Sequence, residues 1–384
     1  MTAFFNGIDV LLQQQYPLFN QRLALVTNDA AFTYDGIPVR TALLQSGATV
    51  LRLFSPEHGL QTTGADGEQQ PDTVDALTQL PVVSLYGARL APEPAHLQDV
   101  EAVLFDIPDV GCRFYTYLWT LTHVMESCAV TGTKLIVADR PNPTGLDLRQ
   151  AEGPWLNEAV CSSFIGRWNL PVRHSCTLGE LARYFAATRL PGLQLEVLPV
   201  QHYTRRSVFP AGAFVPTSPA IRELETAQLY PGTCFLEGVN LNEGRGTGLD
   251  FRVAAAPWIN PAALLSQLHQ AALPGVRFES ISYRAVTPPF EGELCHGLRL
   301  FVTDTDTFRP VRTGLALLQA VSSSHPGQLQ PRLYRTAANP GGADHLDRLT
   351  GVPHSLQLIR NQEELSTEVN PLWQDTLLPY LLYQ

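Results

Sequence analysis

The sequence predicts an α/β protein in which residues 1–225 form a Rossmann-like, mostly parallel sheet and residues 226–384 form a smaller α/β (α+β) domain that closes a cleft against it. Three observations predict this. Short apolar runs alternate with helix-periodic segments through the first half, the pattern of βαβ units. Those runs finish in polar residues, as strands do where they leave a core. After "HYTRRSVFPAGAFVPTSP" (202–219), which reads as an ordered loop rich in proline, arginine and aromatics, the pattern changes to alternating segments of antiparallel character.

The expected strands of the first half are "LALVTN" (23–28), "TVLRLF" (49–54), "PVVSLY" (81–86), "AVLFDI" (102–107), "KLIVAD" (134–139) and "LQLEVL" (193–198). Between them "VRTALLQSG" and "LWTLTHVMESCAVTG" have helical periodicity and stop at glycine, a common helix terminator. No GxGxxG follows the first strand, so a dinucleotide site is not expected. In the second half "HGLRLFVTD" (296–304) reads as a strand, and "RTGLALLQAVSSS" and "PLWQDTLLPYLLYQ" read as helices.

The chain has 384 residues, 45% of them hydrophobic, which is enough for two ordinary cores. Its formal net charge is −10, and its 26 lysines and arginines form no basic run. That balance argues against nucleic acid or an anionic membrane surface as partner and favours a small molecule or a sugar chain. Cys112, Cys128, Cys161, Cys176, Cys234 and Cys295 show no CxxC pairing, so they are expected to be reduced core thiols. The first residues lack a basic start, a long apolar stretch and a small-residue cleavage site, and a cytoplasmic location is expected. A chain beginning after a removed signal, periplasmic or secreted, would read the same way.

The strand ends carry the functional signal. Asn28 follows the first strand, Glu57 and His58 the second, Tyr86 the third, Asp106 and Asp109 the fourth, and Asp139, Arg140 and Asn142 the fifth. In an open parallel sheet, ligands bind beyond the carboxyl ends of the strands, so these residues are candidates for one site. Four stretches mix backbone-shaping glycine and proline with groups that orient a polar ligand: "FSPEHG" (54–59), "DIPDVGCRFYTY" (106–117), "DRPNPTG" (139–145) and "NLNEGRGTG" (240–248). A hydroxyl-rich substrate suits that inventory.

Glu57, behind Pro56 at a strand-to-helix loop, is the candidate general acid, because partial burial raises a carboxyl pKa as such an acid requires. His58 supports it or acts as a second acid/base group. Glycoside hydrolysis commonly uses two carboxylates on opposite sides of the scissile bond. Glu243, among glycines and beside Arg245, is one candidate partner; Asp106, Asp109 and Asp139 are the others. Arg113, Tyr115 and Tyr117 have the make-up of a sugar platform. No metal-ligand spacing such as HExxH and no GxSxG elbow is present, and no cofactor is expected.

"LVTNDAA", "LFSPEHGL", "DIPDVGCRFYTYLWT", "DRPNPTG", "PVRHSCTLGELA", "YPGTCFLEGVNLNEGRGT" and "APW" occur in an order that resembles the NamZ family of bacterial exo-β-N-acetylmuramidases, glycoside hydrolase family 171. The resemblance spans nearly the whole chain. It implies removal of N-acetylmuramic acid from the non-reducing ends of peptidoglycan fragments in cell-wall recycling, with the site between the two domains. It carries a catalytic role onto Glu57, and site roles onto Glu243, Arg245 and Thr247 and onto Arg113, Tyr115 and Tyr117. The lactyl carboxylate of that sugar is expected to pair with Arg113, Arg140 or Arg245. The chain departs from the family pattern in "LQTTGADGEQQPDT" after SPEHG, and at Thr144 and Leu146. Two other classes are compatible with the residues: a non-catalytic carbohydrate-binding protein using the same cleft, and a metal-dependent hydrolase.

Overall fold

A computed structural model describes residues 4–14, 20–369 and 371–384. All six expected strands are present as β1 (Arg22–Val26), β2 (Thr49–Ser55), β4 (Pro81–Ser84), β5 (Ala102–Phe105), β6 (Lys134–Ala138) and β7 (Leu195–Leu198). The short β3 (Thr73–Val74), which the apolar pattern does not reveal, adds antiparallel to the edge. The order is β3-β4-β2-β1-β5-β6-β7, with every neighbouring pair from β4 to β7 parallel. The chain builds outward from β1 through β2 to β4, then crosses to β5 on the other side. The switch point therefore lies between β1 and β5.

Strand alternation sorts the apolar side chains onto two faces. Leu25, Leu53, Leu104 and Ile136 pack on one side under the helices Gly7–Gln13 and Val39–Gln45. Val26, Phe54, Phe105 and Val137 pack on the other under the helices Tyr117–Thr131 and Leu178–Arg189. The first of that second pair stops at Gly132 with φ 71°, a left-handed position that suits glycine. Sheets buried on both faces need near-continuous apolar strands, which is why these runs were legible.

The second sheet has order β8-β10-β9, from β8 (Val253–Ala256), β9 (Val276–Arg284) and β10 (Leu294–Val302), and is antiparallel. The helices Leu224–Thr233 and Pro310–Ser324 cross beside it at Gly232 and Gly314, where a Cβ on Gly314 would sit 2.2 Å from the Gly232 carbonyl oxygen. Residue 226 falls inside the first of these helices. The core continues from the parallel sheet into this half through Phe235, Leu298, Leu317 and Trp373. All six cysteines are buried and unpaired. No helix among the described residues is long and apolar enough to cross a membrane.

Several buried polar contacts tie the halves together. Glu152 accepts from the Val311 N–H at 3.0 Å, capping the helix Pro310–Ser324. The C-terminal segment returns to the first sheet, where the Trp373 indole donates to the His174 carbonyl at 2.8 Å. There the Tyr383 hydroxyl donates to Asp139 at 2.6 Å and accepts from the Val200 N–H at 2.9 Å.

Candidate active site

A cleft of ≈ 720 Å³ opens over the ends of β2 and β4, and both halves of the chain line it. Glu57, His58, Tyr86 and Tyr115 come from the first half, and Glu237, Arg245, Tyr334 and His345 from the second. Phe114, Phe164, Tyr230 and Phe251 supply much of its apolar wall.

The turn after β2 positions the acid candidate. His58 and Gly59 take consecutive left-handed conformations, φ 67° and 73°, and Gly59 N–H closes the turn on the Pro56 carbonyl at 3.1 Å. A histidine at positive φ costs about 1–3 kcal/mol and persists only where the surroundings fix it. Here His58 is fixed by Nδ1 against the Gly64 carbonyl at 2.9 Å, and its own carbonyl accepts from Gly64 N–H at 3.1 Å. The reversal turns Glu57 into the cleft, where Oε1 accepts from Gly67 N–H at 2.9 Å. Thr116 and Tyr86 line the cleft beside the same carboxyl. Only 5% of Glu57 is exposed. Burial raises its pKa above the usual carboxylate range and the nearby Asp66 adds to this, against opposing pulls from His58, Thr116 and the Gly67 N–H.

Asp66 stands beside this carboxyl on the loop that follows. One oxygen of Asp66, one of Glu57 and one ring nitrogen of His58 lie within 4.8 Å of one another. These three side chains are the ones among the described residues that could hold a metal ion together, although His58 Nδ1 and Glu57 Oε1 already serve backbone partners. Asp66 accepts from the Tyr334 hydroxyl and lies 3.5 Å from the Arg245 guanidinium.

Arg245 organises the far wall. It pairs with Glu237, faces Glu243 at 3.2 Å and stacks over the Phe251 ring at 4.7 Å. Burial alone would raise Glu237, but Arg245 and His345 outweigh it and hold the carboxyl down at about 2. Glu237 is thus a fixed anion in the cleft. Tyr334 stacks on His345 at 4.4 Å and reaches Glu237 at 3.3 Å.

Of the residues proposed from sequence, Glu57, His58, Tyr86, Tyr115 and Arg245 line this cleft. The others do not reach it, for physical reasons that differ. Glu243 is fully buried behind Arg245, and neither of its oxygens has a hydrogen-bond partner. Arg245 and Arg332, at 3.2 and 3.7 Å, flank it out of line. Burial lifts its pKa to about 7. Thr247 closes its own turn by donating to the Gly244 carbonyl at 2.6 Å. Tyr117 is buried beneath Tyr115 and donates to the Thr217 carbonyl at 2.6 Å, while Asn28, also buried, accepts from Ala30 N–H at 3.1 Å.

The remaining strand ends are internal braces. Asp106 is paired with Arg140, which also donates to the Phe32 carbonyl at 3.0 Å. Asp139 accepts from Thr177 at 2.6 Å and from Gly179 N–H at 2.8 Å, and Asn142 donates to the Cys176 carbonyl at 3.0 Å. Arg140 and Asp109 border a separate trough of ≈ 1240 Å³ lined by Phe32, Tyr34, Phe209 and Phe214. The polar strand ends therefore divide between the cleft and a structural seam instead of converging.

Arg113 is a keystone. Its buried guanidinium donates to the carbonyls of Pro154 at 2.7 Å, Leu170 at 2.8 Å and Leu349 at 2.8 Å. Leu349 lies in the last turn of the helix His345–Thr350, so the cation also meets the negative end of a helix dipole. Arg113→Met removes the donors and leaves three buried acceptors, and is expected to destabilise the fold by on the order of 3 kcal/mol or more. Urea unfolding measures this; a loss below about 1 kcal/mol would show that the three bonds contribute little.

Sequence reasoning missed Asp66, Glu237, Tyr334, His345 and Arg348. Glu237 sits six residues before Glu243 in the same recognisable stretch, on a 3₁₀ turn, Cys234–Gly238, that aims it at the cleft. Asp66 and Tyr334 lie in loops, and the helix that carries His345 and Arg348 is six residues long, too short for its periodicity to show.

Two family models cover this chain. The N-terminal domain of exo-β-N-acetylmuramidase NamZ matches residues 23–225, and the C-terminal domain of the same family matches residues 228–381. A peptidoglycan β-N-acetylmuramidase NamZ of Bacillus subtilis (strain 168) is 37% identical over 332 residues, which is 84% of this chain and 78% of that protein. A crystal structure of a DUF1343 family protein from Bacteroides fragilis NCTC 9343 matches with TM-score 0.83 and 24% identity over 99% of each chain. A second from the same organism matches with TM-score 0.76 and 25% identity over 100% of this chain and 99% of that one.

Proposed function

Because the chain belongs to the NamZ family of exo-β-N-acetylmuramidases, we infer that it is an exo-acting glycosidase that releases N-acetylmuramic acid from the non-reducing end of peptidoglycan fragments. The observation that carries a mechanism is the Glu57–Asp66 pair in a cleft walled by both halves of the chain. Glu57, whose burial favours the protonated form, donates its proton to the glycosidic oxygen as the bond breaks. Asp66 meets the positive charge that develops at the anomeric carbon. Two carboxyls in contrasting environments divide acid from anion in this way.

One oxygen of each carboxyl lies within 4.8 Å of the other, which favours the close pair of a retaining enzyme, roughly 5–5.5 Å between carboxyls, over the roughly 6.5–9.5 Å that an inverting pair needs to admit water. The proposal is therefore a double displacement with net retention: Asp66 bonds to the anomeric carbon as the protonated leaving group departs, and water, deprotonated by Glu57, then displaces Asp66 to free the sugar. Glu237 and Arg245 then act on Asp66 as a fixed electrostatic frame, and Glu243 stands buried behind Arg245.

The test is turnover. The purified protein is expected to release nitrophenol from a 4-nitrophenyl β-N-acetylmuraminide, and N-acetylmuramic acid from the non-reducing end of a disaccharide with N-acetylglucosamine, at a rate that a chelator leaves unchanged. Tight binding with no product over hours would instead make it a binding protein. Loss with chelator and recovery with a divalent ion would move the chemistry to a metal at Glu57, His58 and Asp66.

A further inference from the structure

A terminal N-acetylmuramic acid brings its lactyl carboxylate into a cleft that already holds Glu57, Asp66 and Glu237. A further anion enters such a space only if a cation is free to meet it. Arg245, Arg348, His58 and His345 are the basic side chains lining the cleft. Arg245 is surrounded by Asp66, Glu237 and Glu243, so its charge is already neutralised. His345 faces Glu237 at 3.6 Å and lies flat against Tyr334, and His58 is held by Gly64. The two other arginines considered from sequence are also engaged, Arg113 by three carbonyls and Arg140 by Asp106.

Arg348 differs from all of these. It projects from the helix His345–Thr350, half-buried in the cleft wall, and makes no ion pair among the described residues. Its Nε is buried without a hydrogen-bond partner. An unpaired guanidinium in a cleft otherwise rich in carboxylates is a ready fork for a planar anion. Resting on the muramidase reading above, we propose that Arg348 binds the lactyl carboxylate and so distinguishes N-acetylmuramic acid from uncharged amino sugars.

The experiment compares a chromogenic N-acetylmuraminide with its lactyl methyl ester, which has the same skeleton and no charge. Wild type is expected to prefer the acid over the ester by roughly 10- to 100-fold in kcat/KM, the range of one charge-assisted hydrogen-bonded pair. Arg348→Ala is expected to lose that preference through a raised KM for the acid, with the ester unaffected; Arg348→Lys keeps part of it. A merely structural role would slow both substrates equally. An Ala variant that still discriminates as wild type does overturns the assignment while leaving the muramidase reading intact. If Arg348→Ala is misfolded by circular dichroism, the Arg348→Gln and Arg348→Lys pair decides by the same comparison. A wild type inert towards both glycosides overturns the muramidase reading itself, and the assignment with it.

Discussion

Glu57→Gln lowers kcat/KM for the disaccharide substrate by about 10³-fold or more, near the upper part of the 10²–10⁴ range for a positioned general acid. The side chain keeps its shape and its acceptor for the Gly67 N–H, so the loss reports the missing proton. The effect depends on the leaving group. A nitrophenolate departs without protonation, so the same variant is expected to lose far less with the nitrophenyl glycoside. The pH profile follows from the direction of the shift: burial favours the protonated form, which is the active form of an acid. The wild-type kcat/KM is therefore flat at low pH on this limb and falls as pH rises through a value above that of an ordinary glutamate. Equal losses on both substrates would remove Glu57 from the acid role.

Asp66→Asn is expected to lower kcat by about 10²-fold or more for both leaving groups, because charge is lost where positive charge develops. Its fold is expected to be unchanged, since the side chain is partly exposed and its contacts are confined to the cleft. The companion measurement is the anomer of the first-formed sugar by NMR before mutarotation. The β anomer is the expected product of two displacements at close carboxyls. An α product would rule out the Glu57–Asp66 pair as the two catalytic carboxyls of a retaining enzyme. Near-normal turnover by Asp66→Asn would turn attention to Glu237, the other anion on the cleft wall.

The fold was legible because its strands are short apolar runs such as "LALV" and "AVLF", buried on both faces. Strand β3 was not, because a two-residue edge strand with both residues exposed leaves no pattern. The acid candidate was legible because SPEHG joins a buried strand to a strained turn. Its neighbour was hidden for the opposite reason. Asp66 lies in "TTGADGE", the stretch that departs from the family pattern, and reaches Glu57 only because His58 and Gly64 close the loop. Asp139 shows the converse error. A carboxylate at a strand end resembles a catalytic one, yet Thr177, Gly179 and Tyr383 saturate it. Sequence reports that a polar group leaves the core; it does not report how many partners wait for it. The Arg348 side chain makes the same point, since only the pairings of the basic groups lining the cleft show that it has no ion pair among the described residues.

The stitching between the halves also fixes the width of the mouth. For the walls to part, Arg113 would have to leave the Leu349 carbonyl and Glu152 would have to uncap the helix Pro310–Ser324. Trp373 and Tyr383 would also have to lift from His174, Val200 and Asp139. Each of these steps exposes buried polar groups without replacement partners. The aperture is thus a rigid gauge, not a pair of jaws. The cost of parting the walls therefore counts against any substrate that does not fit the cleft as it stands.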